Sequence, residues 1–178
     1  MKLLLLSALL LNASVMAAEP TLLETPVVYA ADASVVPKVK EECKIEGMLE
    51  KRIGEILAKA NQGLGTIAQG TPVADGQVLR LKISHVLGVG GGAYSGPKAI
   101  TVYAELLQNG KVARETKLNR WSMGGVFGGF SGTCSILDRC AVAIGKDLAQ
   151  WVKDPSYIIK DQPAPKTEAA PAPEEVKS

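Results

Sequence analysis

Four side chains in this sequence are suited to nucleophilic or metal chemistry: Cys43, Cys134, Cys140 and the single histidine, His85. Cys134 follows the glycine-rich stretch GGVFGGFSG (124–132) and opens a helically patterned segment. A helix start lowers a thiol pKa, and a histidine brought to the same end would complete a thiol-dependent site, with Cys134 as nucleophile and His85 as base. The competing fate of Cys134 is a structural disulfide, which removes the nucleophile. One histidine and scattered cysteines supply no zinc-ligand spacing, and no G-x-S-x-G nucleophile elbow occurs. The expectation is therefore a protein that is not an enzyme and holds no metal or cofactor, with the thiol enzyme as the alternative.

A second chemistry is suggested by GVGGGAYSGP (88–97), which has five glycines in ten positions. It is not a phosphate loop, because Lys98 follows Pro97 and leads into a strand, and it is not a dinucleotide fingerprint, because it joins strand to strand. The free amides at the start of the second helix leave a small-anion site as a further alternative. The first loop reads foremost as a flexible or bulged hairpin, and phenylalanines among glycines could dock a partner, although folding back onto the open sheet end is the commoner outcome. Tyr94, Phe127 and Phe130 are the candidate binding residues, for an envelope protein partner.

The elements that must position these residues follow from periodicity. Ile45, Leu49, Ile53, Ile56, Leu57 and Ala60 form the stripe of an amphipathic helix over 41–60, with Gly47 and Gly54 on its opposite face. QVLRLKISHVLG (77–88) alternates, with Leu79, Leu81, Ile83 and Leu87 on one face and Arg80, Lys82 and Ser84 on the other. His85 then falls on the inward face, as a buried or rim residue with a hydrogen-bond partner. AITVYAELL (99–107) alternates again, and Asn109-Gly110 after it signals a tight hairpin. KVARETKLNRW (111–121) is more polar and reads as an edge strand. Leu137, Ala141, Ile144, Leu148 and Trp151 mark a second helix over 135–152, with Ser135 and Asp138 as its capping pair. The simplest assembly is α+β: an antiparallel β-meander of three to four strands with two amphipathic helices packed on one face. A fourth strand would come from the leader or from 64–74.

In this assembly both glycine-rich loops rim one end of the sheet. Helix one starts at that end if the 61–77 linker delivers the chain to the opposite one, which brings Cys43 close to Cys134. Cys140 lies about 9 Å further down the second helix, beyond the roughly 7 Å Cα limit for a bridge to Cys134. Chain entropy favours the long loop as well, by about 4.6 kcal/mol for Cys43–Cys134 against about 2.4 for Cys134–Cys140. The expected disulfide is Cys43–Cys134, with Cys140 a buried free thiol.

The ends of the chain set the compartment. MKLLLLSALLLNASVMAA (1–18) has one Lys, an apolar run and a small-residue end, the pattern of a secretory signal peptide, cut after Ala17 or next best Ala18. The run is shorter than the roughly 20 residues of a membrane span and is broken by Asn12. Localisation is expected to be periplasmic or secreted, with no integral membrane segment in the mature chain. Loss of Lys2 leaves 19 Lys and Arg against 18 Asp and Glu, a net charge of about +1 that predicts nothing about nucleic acid or anionic membrane, and no nucleic-acid partner is expected. Residues 19–40 read as an extended leader, 41–153 as the core domain, and the Pro/Ala-rich 154–178 as a disordered tail. Nothing in the sequence sets an oligomeric state.

The run LKISHVLGVGGGAYSGPKAITVYAELLQNGKV, followed by GGVFGGFSGTCSIL and a helix ending in IGKDLAQWV, resembles a family of small exported bacterial envelope proteins of unknown function. Their glycine-rich β-meanders are similar to those of several envelope lipoproteins. The resemblance covers residues 43–152. It implies no known reaction and supports a non-enzymatic binding or accessory module of the cell envelope. Members with a lipid-attachment cysteine differ from this chain, in which no Cys follows the apolar run.

Overall fold

The structure, a computed structural model, describes residues 19–73, 76–88, 96–123 and 132–163. The chain runs β1 (Thr21–Thr25), β2 (Val28–Val35), α1 (Pro37–Cys43), α2 (Ile45–Ala60), β3 (Thr66–Ala68), β4 (Gln77–Leu87), β5 (Lys98–Gln108), β6 (Lys111–Ser122) and α3 (Thr133–Lys153). The fold is α+β, with a mixed six-stranded sheet of order β3-β1-β4-β5-β6. β2 takes the second half of the same β4 edge whose first half β1 occupies.

Three antiparallel strands, β4, β5 and β6, form the expected meander. Their hairpin turns at Asn109 and Gly110, both at positive φ, 50° and 73°. The sheet as a whole departs from the expected purely antiparallel meander of three to four strands. β1 and β2 join β4 in parallel, and β3 joins β1 in parallel. The leader is thus two strands of the sheet. Pro26 has no N–H for a ladder and divides it, so neither half carries an alternation long enough to read.

The expected single helix over 41–60 is likewise two. Lys44, at φ 45°, turns the chain between α1 and α2, and α1 folds back until Val39 packs where a Cβ on Gly88 would stand 2.6 Å from it.

α2 and α3 cover one face of the sheet. Ile45, Leu49 and Ile53 of α2 meet Leu137, Ile144 and Leu148 of α3 over Leu79, Ile83, Ile100, Val102 and Leu118, all fully buried. Gly54 and Gly145 set the spacing, since a Cβ on Gly54 would stand 2.8 Å from Thr66 Cγ2 and one on Gly145 2.6 Å from Ile56 Cδ1. Gly54 is therefore a buried contact and not part of an outer face. α3 begins two residues earlier than its pattern, on Gly132, and no side chain caps it. Asp138, expected in a capping pair, instead accepts from Arg52 Nε and Nη2, both at 2.7 Å, and ties α2 to α3.

After α3 the chain doubles back over β6. Lys160 O accepts from Arg120 Nη1 at 3.1 Å, and the Trp121 N–H donates to Gln162 Oε1 at 3.0 Å. Tyr157 and Ile159 pack on the core. The first part of the expected tail, to residue 163, is thus a strap on the domain. Residues 1–18 and 164–178 lie outside the described residues.

Candidate functional site

The β4–β5 ladder ends at Leu87 and Ala99, and the β5–β6 ladder at Lys98 and Ser122. The two glycine-rich segments therefore leave and re-enter the fold at one end of the sheet. Arg139 fastens the start of α3 there, donating from Nε to Ser122 Oγ at 3.0 Å and from Nη2 to Met123 O at 2.8 Å. Lys98, the first residue of β5, is fully buried, and burial lowers its ammonium pKa. The candidate binding residues Tyr94, Phe127 and Phe130 lie outside the described residues.

Cys43 and Cys134 form a disulfide, with Cα atoms 5.0 Å apart. It joins the α1–α2 junction to the first turn of α3, the pairing expected from topology and loop length. Cys140 is a free thiol, fully buried, donating weakly to Lys98 O at 3.6 Å. Burial pushes its pKa up to about 12, because a thiolate there would lose its hydration.

The disulfide leaves Cys134 no thiol to ionise, and His85 stands on the other face of the sheet from α3. The expectation of an inward His85 is corrected by a bulge. Ile83 pairs with Val102 and His85 with Thr101, so Ser84 is an extra residue in the ladder. The insertion reverses the alternation: Val86 enters the core and His85 is exposed. One signal was legible, the two successive polar residues Ser84-His85 where period two requires an apolar one.

The bulge opens a groove of about 430 Å³ on the face the helices leave uncovered. Its floor has Ser84 and His85 from β4, Thr101 and Tyr103 from β5, and Lys117 and Asn119 from β6. Asp32 comes from β2, in a stretch where the β2–β4 register also slips, between Tyr29 and Ser34. Asp161 comes from the strap. Lys117 Nζ lies 5.0 Å from the centroid of the Tyr103 ring. Asn119 Oδ1 is buried and accepts no hydrogen bond among the described residues. Sequence reasoning missed Asp32, Asn119 and Asp161, because a leader, an edge strand and a tail have no visible reason to meet.

Lower on the same face the charges are paired. Glu24 accepts from Arg80 Nε at 2.5 Å, and Arg80 and Lys82 flank Glu105 at 3.6 and 3.5 Å. The hydrogen bond from Arg80 holds the Glu24 carboxyl below the usual glutamate range, against the opposing effect of burial. Among the described residues no three His, Cys, Asp or Glu side chains lie where they could hold a metal ion. No helix among them is long and apolar enough to cross a membrane.

No protein-family model and no curated protein matches the sequence. Solved structures do align with it. They include a point variant of PelC from Paraburkholderia phytofirmans, a dodecamer, at 15% identity over 76% of this chain and 89% of that one, TM-score 0.48. The PelC dodecamer in another crystal form aligns at 16% identity over 72% and 88%, TM-score 0.43. A Xanthomonas campestris protein of the DUF330 family model aligns at 14% identity over 77% and 85%, TM-score 0.46.

Proposed function

We propose that the protein is an exported, non-enzymatic binding module of the bacterial cell envelope, working through the sheet end from which its two glycine-rich segments leave. The observation that carries this reading is the pair of ladder ends, Leu87 with Ala99 and Lys98 with Ser122, which gives both segments adjacent stems. The Cys43–Cys134 bridge and Arg139 brace the same end. Tyr94, Phe127 and Phe130 supply the apolar contact area, which glycine-rich backbone lets a partner approach closely. A signal peptide cut after Ala17 delivers the chain to the periplasm or beyond. In this reading the disulfide is structural and Cys134 is not a nucleophile.

Site-specific photo-crosslinking in the producing cells tests the proposal. A photoreactive residue at position 127 or 130 should give a discrete adduct with an envelope component. The same residue at position 112, exposed at the far end of β6, should not. Equal adducts at both ends, or none at 127 and 130, would reject the loop end as the working surface.

A further inference from the structure

We propose that the groove around His85 binds an organic amine, a linear compound carrying two protonated amino groups, independently of whatever the glycine-rich end contacts. The groove presents more acceptors than its own donors use. Asp32 and Asp161 are in no ion pair among the described residues, whereas Glu24 and Glu105 on the same face are paired with Arg80 and Lys82.

The layout fits two cationic ends. His85, Thr101 and Asn119 form one cross-strand row through the register pairs His85 with Thr101 and Thr101 with Asn119. At about 4.8 Å per strand that row spans about 10 Å. Asp32 rises from β2, beyond the His85 end, and Asp161 from the strap held to Arg120 and Trp121, beyond the Asn119 end. Between them lies the Tyr103 ring, 37% exposed, whose face already takes the Lys117 ammonium. An aromatic face of this kind suits an organic ammonium.

Two register slips meet at this place, one in β2 and one in β4. Bulges re-aim side chains at functional sites. Here the one in β4 puts His85 on the groove floor, and the one in β2 carries Asp32 on the stretch that slips.

His85 is the chain's only histidine, so its imidazole proton resonances report the groove without assignment. Titrating the whole mature protein with cadaverine at constant ionic strength should move them saturably. Pentane-1,5-diol, the same chain without charge, and magnesium chloride, charge without the chain, should not. Asp32→Asn and Asp161→Asn should each weaken cadaverine by up to about five-fold, as expected for exposed ion pairs. Lys117→Gln should tighten it, by removing a competing cation from the Tyr103 ring. An unmoved signal, an equal response to the diol or to magnesium, unchanged affinity in both Asn variants, or weaker binding in Lys117→Gln would each overturn the proposal. Photo-crosslinks at positions 127 and 130 are unaffected by any of these outcomes, so the two readings fail separately.

Discussion

The two faces of the central strands are built from the same backbone and differ in almost every other respect. On β6, Leu118 is fully buried beneath α3, while Lys117, its neighbour, is exposed over the Tyr103 ring. The covered face is aliphatic and continuous, and burying it is the main source of stability. The open face is polar and divided. Its lower half neutralises itself through Glu24, Arg80, Lys82 and Glu105, and its upper half holds Asp32 and Asp161, in no ion pair among the described residues. A face that contributes little to folding is free to carry binding groups.

The largest effect should come from the cross-link that closes the covered side at the glycine-rich end. Replacing Cys43 and Cys134 with Ser opens a loop with a sequence separation of 91. In the chain-entropy account this lowers stability by about 4.6 kcal/mol, towards the upper end of the usual range, as read from urea unfolding. In the native, unreduced wild type, alkylation should label none of the three cysteines, since two are bridged and Cys140 is buried with a raised pKa. Labelling of Cys134 before unfolding would mean that the bridge is not made.

Next in size is the contrast between adjacent residues. Leu118→Ala should cost about 3 kcal/mol through lost burial and the cavity left behind. Lys117→Ala should stay within about 0.5 kcal/mol, as exposed substitutions do. Comparable losses in urea unfolding would mean that the open face is covered in solution.

The smallest effect concerns the paired lower half. Because the Arg80 hydrogen bond depresses the Glu24 pKa, the carboxylate's contribution is fully present above the ordinary glutamate value of 4.5 and is lost as pH falls through the lower folded value. Glu24→Gln should therefore be modestly less stable than wild type at neutral pH. The difference should shrink as pH falls below about 4.5. A gap that stays constant with pH would assign the loss to packing.

Much of the covered side was readable before the structure. Helical spacing located α3 to within two residues at its start, alternation located β4 and β5, and Asn109-Gly110 located the hairpin. All of these depend on neighbours in sequence. The cysteine pairing was also readable, because it needed only strand direction, helix rise and loop length. The open groove was not. Asp32, His85 and Asp161 come from a strand read as leader, a face reversed by one extra residue, and a strap read as tail.

The sequence alone determined that an aliphatic sheet face would be covered by amphipathic helices and that Cys43 would meet Cys134, because hydrophobic period and chain geometry act locally or through simple reach. Only the tertiary structure decided that β1 and β2 share the β4 edge in parallel, that Lys44 breaks the first helix, and that Ser84 turns His85 out. Parallel pairing joins segments more than fifty residues apart. A bulge shifts every following side chain to the other face without altering composition, so both depend on which partner strand is present.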